Sequence, residues 1–342
     1  MGETTPRIKT TVVGSYPVPA WLVAAPSEQA LMDATRTVLA TQEHAGLDVV
    51  CDGEMYRFDV NHPETNGMIE YFVRPMSGIR TALSFEELQS YRQQAGMGFR
   101  SQPPGVVDGP VGHGTLDLVR AAARARALTH SPLKFTVTGP HMLAKTLKND
   151  HYGSVADLAL AIADVLAEQV AQIDAAVVQL DEANLPGHPD EAEWALAAIN
   201  RVLDAVQTTP AVHLCFGNYG GQSIQSGSWD KLLGYLNGLH ADHIVMENAH
   251  RPVEELAAFR ELRPGLGLGL GVVDIKATEV ETADGIARAL ERAEATLGAG
   301  RVTYINPDCG FWMLPRPIAD GKIRALVEGR DLYEGRAAQQ VA

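Results

Sequence analysis

Short β-branched runs alternate with long Ala- and Leu-rich amphipathic stretches along this chain, strand before helix each time. Few folds accept that alternation, because each strand must return through a helical crossover to lie parallel to the last. Candidate strands are TTVVGS (10–15), LDVVCDGE (47–54), GVVDGPV (105–111), KFTVTGP (134–140), AVVQLDE (176–182), AVHLCF (211–216), HIVMEN (243–248), GLGLGVV (267–273) and VTYINPD (302–308). Apolar periodicity predicts helices over 27–45, 115–129, 154–174, 190–207, 252–262 and 280–298. These are nine strands, one more than a barrel of eight needs, and GVVDGPV closes a stretch from about Asn61 to Gly105 in which neither period persists. The expectation is an α/β fold, a (β/α)8 TIM barrel with an inserted irregular segment and hairpin around 61–110. No linker, low-complexity tract or internal repeat divides the 342 residues, so 1–342 reads as one barrel domain.

Composition narrows the function. A formal charge of −14 without any Lys/Arg cluster excludes a phosphate-backbone partner. No apolar run reaches the roughly 18 to 20 residues of a membrane span, and no secretory leader opens the chain, so a cytoplasmic protein is expected. The three cysteines, Cys51, Cys215 and Cys309, cannot make a disulfide framework. Cys51, in LDVVCDG, reads as an inert buried thiol.

In a barrel the chemistry is built from the C-terminal ends of the strands. Those ends carry Ser15, Asp52 and Glu54, Asp181 and Glu182, His213 and Cys215, Glu247, Asp274 and Lys276, and Asn306, Asp308 and Cys309. In H-x-C the two side chains share one face of a strand. With Glu247 from IVMEN and Cys309 from NPDCG, His213 and Cys215 form a Zn2+ site of two thiolates, one imidazole and one carboxylate. Zinc so ligated is a modest Lewis acid suited to holding a further sulfur, which makes a thiol the expected substrate. Glu54 and Asp181 could receive an ammonium group, and Ser15 with its neighbouring N–H a carboxylate; the bland reading pairs Glu54 with Arg57. GLGLGLG (265–271) lacks the spacing of a dinucleotide loop and lies within a strand.

TTVVGSYP, DGE, VTGP, QLDEA, HLC, MEN and NPDCG together resemble the C-terminal catalytic barrel of cobalamin-independent methionine synthase and its shorter single-domain relatives, nearly end to end. The resemblance implies a (β/α)8 barrel. It implies Zn2+ on His213, Cys215, Glu247 and Cys309, the amino group of homocysteine on Glu54 and Asp181, and its carboxylate on Ser15. The implied activity is a zinc-dependent transferase that presents a thiol as a zinc-bound thiolate and alkylates it, with methyl transfer to L-homocysteine giving methionine. Departures from the pattern point away from folate as donor. The histidine of the family's D-I-H-S loop is replaced by Lys276 in Val273-Asp274-Ile275-Lys276, the stacking tryptophan before FRSQPP is absent, and so is the synthase's N-terminal half. The short relatives imply a methylated corrinoid protein instead. Lys276 and Asp274 are candidate catalytic groups, and Arg57, Asn61, His62 and Trp312 candidates for the second-substrate pocket. The alternative is the epoxyalkane:coenzyme M transferase reaction, in which a zinc-bound thiolate opens an epoxide; its sulfonate would call on cations such as Arg57, Arg316 and Lys276.

Overall fold

Eight parallel strands follow one another round a single sheet in chain order: β1 (Lys9–Thr10), β2 (Val50–Cys51), β3 (Leu133–Thr138), β4 (Val177–Asp181), β5 (Thr209–Leu214), β6 (His243–Met246), β7 (Gly267–Val273) and β8 (Val302–Pro307). The structure is a computed structural model and describes residues 7–59, 65–93, 102–217 and 225–335. β8 pairs with β1, and the parallel bridge between Thr11 and Val49 joins β1 to β2, so the sheet meets itself as a TIM barrel does. Each strand returns through a helical segment: Glu28–Ala45, Leu118–Arg126, Val155–Val170, Ala192–Leu203, Leu233–Gly238, Val253–Glu261, Ala283–Leu297 and Arg316–Tyr333. Ser27, Asp117, Ser154 and Thr282 cap four of these by accepting a backbone N–H of the first turn, which sets where those helices begin.

GVVDGPV stands outside the barrel, as expected. Val106–Gly112 pairs antiparallel with Ser77–Arg80, and Lys148–Asn149 from the β3 crossover adds a third, parallel strand that the sequence reading lacks. Several helices also escaped that reading, two of them eight residues or longer among the described residues. Phe85–Arg92 carries a full capping box between Ser84 and Glu87, an S-x-x-E signal present in the sequence. Arg316–Tyr333 buries Lys322 and Arg330 completely, and charged residues on a core-facing stripe hide the apolar period. The segment expected as helix over 252–262 is a 3-10 helix rather than α.

The glycines of β7 make room inside the barrel. A Cβ on Gly269 would lie 3.0 Å from Asn306 Oδ1, and one on Gly271 would lie 2.1 Å from Asp308 Oδ1. GLGLGLG is therefore a space-making strand, with Leu266, Leu268 and Leu270 in the apolar core.

At the mouth, the turns after β3 and β4 are tied together. His141 Nε2 lies 2.8 Å from Glu191 Oε2, and Lys145 donates to Glu191 Oε1 at 2.6 Å. Burial alone would raise the Glu191 carboxyl, but these two hydrogen bonds win and bring it from 4.5 to about 2. A depressed carboxyl contributes stability above its unfolded pKa and loses it as pH falls towards the folded one. Glu191→Gln should therefore cost up to about 3 kcal/mol at pH 7, with the gap to wild type closing as pH falls from 4.5 towards 2. Urea denaturation across that range measures it; a gap that does not change with pH would refute the account.

Candidate metal centre and barrel mouth

His213 is the last residue but one of β5, Cys215 follows the strand directly, and the loop after β8 brings Cys309 to them. One ligand atom from each of the three lies within 4.8 Å of the others, and the two sulfurs are 3.7 Å apart. His213 Nδ1 lies 3.0 Å from the Val245 carbonyl oxygen. A carbonyl only accepts, so Nδ1 carries the hydrogen and Nε2 keeps its lone pair. Nε2 is buried without a hydrogen-bond partner. An orphaned imidazole nitrogen beside two sulfurs, its ring oriented by a backbone carbonyl, is the donor set of a transition-metal site. The hydrogen bond between the thiols holds Cys309 well below the ordinary thiol range and, together with burial, pushes Cys215 well above it. A divalent cation would displace the proton in that contact between the sulfurs. Cys51 is apart from this cluster, fully buried, its thiol pushed up by burial.

Glu247, at the end of β6, is wholly buried. Its Oε2 accepts the N–H of Phe216, next to Cys215, and its Oε1 takes Lys276 Nζ at 3.0 Å. Burial works against the charge on Lys276, but Glu247 outweighs it and raises the lysine's pKa. Asp274 accepts the Lys276 N–H at 2.8 Å and lies 3.3 Å from His250. Sequence reasoning gave Asp308 a place at the mouth but no role. Its carboxylate accepts the N–H groups of Asn248, Ala249 and His250, each at 2.8 Å, so it folds the loop that follows Glu247. Burial and neighbouring Glu247 push Asp308 up to about 7.

Across the mouth, β1 to β4 bring up the other expected residues. Glu54 has φ 60°, the one positive φ outside glycine among the described residues, and its N–H is held by Asp52 Oδ1 at 2.9 Å. A left-handed glutamate costs about 1 kcal/mol or more, strain of the kind found where a side chain must point somewhere particular. Its Oε1 accepts from Thr136 Oγ1 at 2.6 Å and pairs with Arg57 at 3.2 Å. Arg57 is buried and also binds the Thr136 carbonyl, so it supports Glu54 while bordering a rim cavity of about 830 Å³ lined in part by Tyr56, Phe58 and Arg74. Asp181 is the strand neighbour of His213 and is fully buried; burial pushes its carboxyl up to about 7, opposed by His213 and helped by Glu54. Ser15 packs against the loop of Cys309: its carbonyl accepts the Phe311 N–H at 2.8 Å, and a Cβ on Gly310 would fall 2.0 Å from its Oγ. Trp312 is half exposed beyond that loop. Asn61 and His62 lie outside the described residues.

A barrel whose strand ends gather two thiols, an imidazole and buried carboxylates has the make-up of an enzyme active site that could hold a metal ion, and comparison with known proteins says which class it belongs to. The model of the family described as "Cobalamin-independent synthase, Catalytic domain" matches residues 8–330. The chain is 30% identical over 340 residues to a methionine synthase of Sulfurisphaera tokodaii, covering 95% of this chain and 92% of that one. It is 29% identical to a methionine synthase of Thermococcus kodakarensis, covering 98% and 96%. The fold is that of a B12-independent methionine synthase from Shewanella sp. W3-18-1 solved with selenomethionine, at TM-score 0.78, 24% identity and 96% and 98% coverage. The chain belongs to the catalytic-domain family of the cobalamin-independent methionine synthases and is an enzyme, a transferase. No helix among the described residues is long and apolar enough to cross a membrane.

Removing the Asp308 carboxylate leaves three backbone N–H groups without their acceptor, so Asp308→Ala should destabilise the fold by about 2–4 kcal/mol. Hydrogen exchange of residues 248–250 should accelerate well beyond that of β6 itself; exchange that stays slow would remove Asp308 from this role.

Proposed function

We propose that the enzyme holds Zn2+ on His213, Cys215 and Cys309, with Glu247 as the weak fourth ligand, and methylates the thiol of L-homocysteine to give methionine. The observation that carries this is the orphaned His213 Nε2 beside two thiols, in a chain whose family match runs from 8 to 330. Zinc bound there lowers the pKa of a coordinated thiol while leaving its sulfur nucleophilic. The residues round it do the rest. Buried Asp181 and half-buried Glu54 meet the substrate ammonium, whose charge offsets the burial, and the smaller repulsion from Glu54, that raise Asp181. Ser15, beside the Cys309 loop, receives the substrate carboxylate. Held at both ends, the amino acid presents its sulfur along one direction, which favours in-line attack. A sulfur lone pair forms the new bond to the methyl carbon, the donor leaves with the old bonding pair, and the thiol proton passes to solvent.

Lys276 acts as the cation that fixes Glu247: paired at 3.0 Å, it draws on the carboxylate's charge and would leave it a weak ligand to a bound ion, one that a substrate sulfur could replace. Asp274 sets the Lys276 backbone through its N–H. For the donor we assign the rim by Trp312 and the cavity beside Arg57. The comparisons lend no support to a corrinoid protein as donor.

Isothermal titration of the zinc-loaded protein with L-homocysteine and with coenzyme M, in two buffers of different ionisation enthalpy, tests this reading. Homocysteine should bind with proton release, and Cys309→Ser should lower zinc affinity by at least tenfold in a chelator competition. Binding of coenzyme M alone would sink the homocysteine reading and favour the epoxide chemistry.

A further inference from the structure

The barrel floor beneath Asp181 contains a lysine that no step above uses. Lys134, on β3, is 1% exposed. Its Nζ reaches across the interior to the Val12 carbonyl beyond β1, and donates to Gln179 Oε1 on β4 at 2.8 Å. Gln179 passes the connection on: its Nε2 donates to the Val13 carbonyl at 3.0 Å and to Asp181 Oδ1 at 2.8 Å. Every polar atom of the Gln179 side chain is thereby committed.

A carboxamide has two orientations of nearly the same shape, and hydrogen bonding alone chooses between them. Lys134 is a pure donor, so Oε1 must face it and the NH2 group must face Asp181. With the lysine gone, Oε1 would be buried without a donor, and the amide would leave its place beside Asp181 Oδ1 to recover one. Filling the floor does not require a cation either: an apolar side chain of similar volume would avoid the cost of burying an ammonium group. Burial already draws the Lys134 pKa down to about 8.

We propose that Lys134 is a positioning residue for amino-acid recognition: it locks the Gln179 amide so that Gln179 holds Oδ1 of Asp181 and turns Oδ2 to the substrate ammonium. The inference rests on the reading of Asp181 as an ammonium acceptor. It adds a three-residue line, Lys134 to Gln179 to Asp181, that connects β3 and β4 to both carbonyls following β1.

The test compares L-homocysteine with 4-mercaptobutyrate, the same thiol acid without the amino group, by isothermal titration of zinc-loaded wild type, Lys134→Met, Gln179→Met and Asp181→Asn. Wild type should prefer homocysteine. Each variant should lose that preference by about tenfold through weaker homocysteine binding, with 4-mercaptobutyrate affinity unchanged. If Asp181→Asn loses the preference while Lys134→Met and Gln179→Met keep it, the positioning role is wrong and the ammonium reading stands. If Asp181→Asn keeps it, the ammonium reading fails and takes this proposal with it. Equal weakening of both ligands in Lys134→Met or Gln179→Met would mean a purely structural lysine and overturn the proposal. Should Lys134→Met not fold, Gln179→Met decides, since a preserved preference there is equally fatal.

Discussion

The barrel depends on how its ends are joined. β1 and β2 are the shortest strands of the barrel, two residues each, and a single bridge between Thr11 and Val49 links them. Asp48 reinforces that seam. Its Oδ2 accepts both the N–H and the hydroxyl of Thr10, at 2.8 and 2.9 Å, and binds Arg330 of the last helix at 2.5 Å. Burial opposes a charge on Asp48, yet those partners hold its carboxyl below the ordinary range. Arg330 also donates to the Ile8 carbonyl at 2.8 Å, so the final helix binds the residue that leads into the first strand. Ser15 follows β1 and Glu54 follows β2, which places two expected substrate contacts just beyond this seam.

The mouth divides into two chemical halves. The β5, β6 and β8 ends supply the soft donors and the carboxylate behind them, and the β1, β2 and β4 ends supply oxygen groups suited to an amino acid's charged termini. Asp181 and His213 are strand neighbours and so sit where the halves meet. Any ligand with a thiol at one end and an ammonium at the other would bridge them. Fold, cluster and family agree: the first is topology, the second donor geometry, the third sequence similarity.

Much of this was legible in the sequence because period-2 and period-3.6 patterns are strong where elements are buried on a defined face. All eight barrel strands were readable, as was the exclusion of GVVDGPV. His213, Cys215 and Cys309 were readable because H-x-C shares a strand face and NPDCG ends another strand. What stayed hidden was hidden for physical reasons. Lys322 and Arg330 are core residues of the last helix, so a hydropathy pattern reads them as exposed. Asp308 works through the backbone N–H groups of another loop, and Lys134 through an amide on the next strand, relations with no sequence spacing to mark them. The Glu54–Arg57 pair was legible as a local alternative, and the structure contains it beside the Thr136 contact.

The glycines of β7 also constrain redesign. Gly269 and Gly271 give their space to Asn306 and Asp308, so that wall of the barrel is shaped by groups it lacks. A library aimed at new thiols would waste most of its members on β7, where even alanine collides with a neighbour. Variation placed in the turns after β2 and β4 would change the far side of the mouth, whereas the turn after β1 packs against the loop of Cys309. The chain is therefore divided into a part that tolerates exploration and a part that does not, and the boundary runs down one strand.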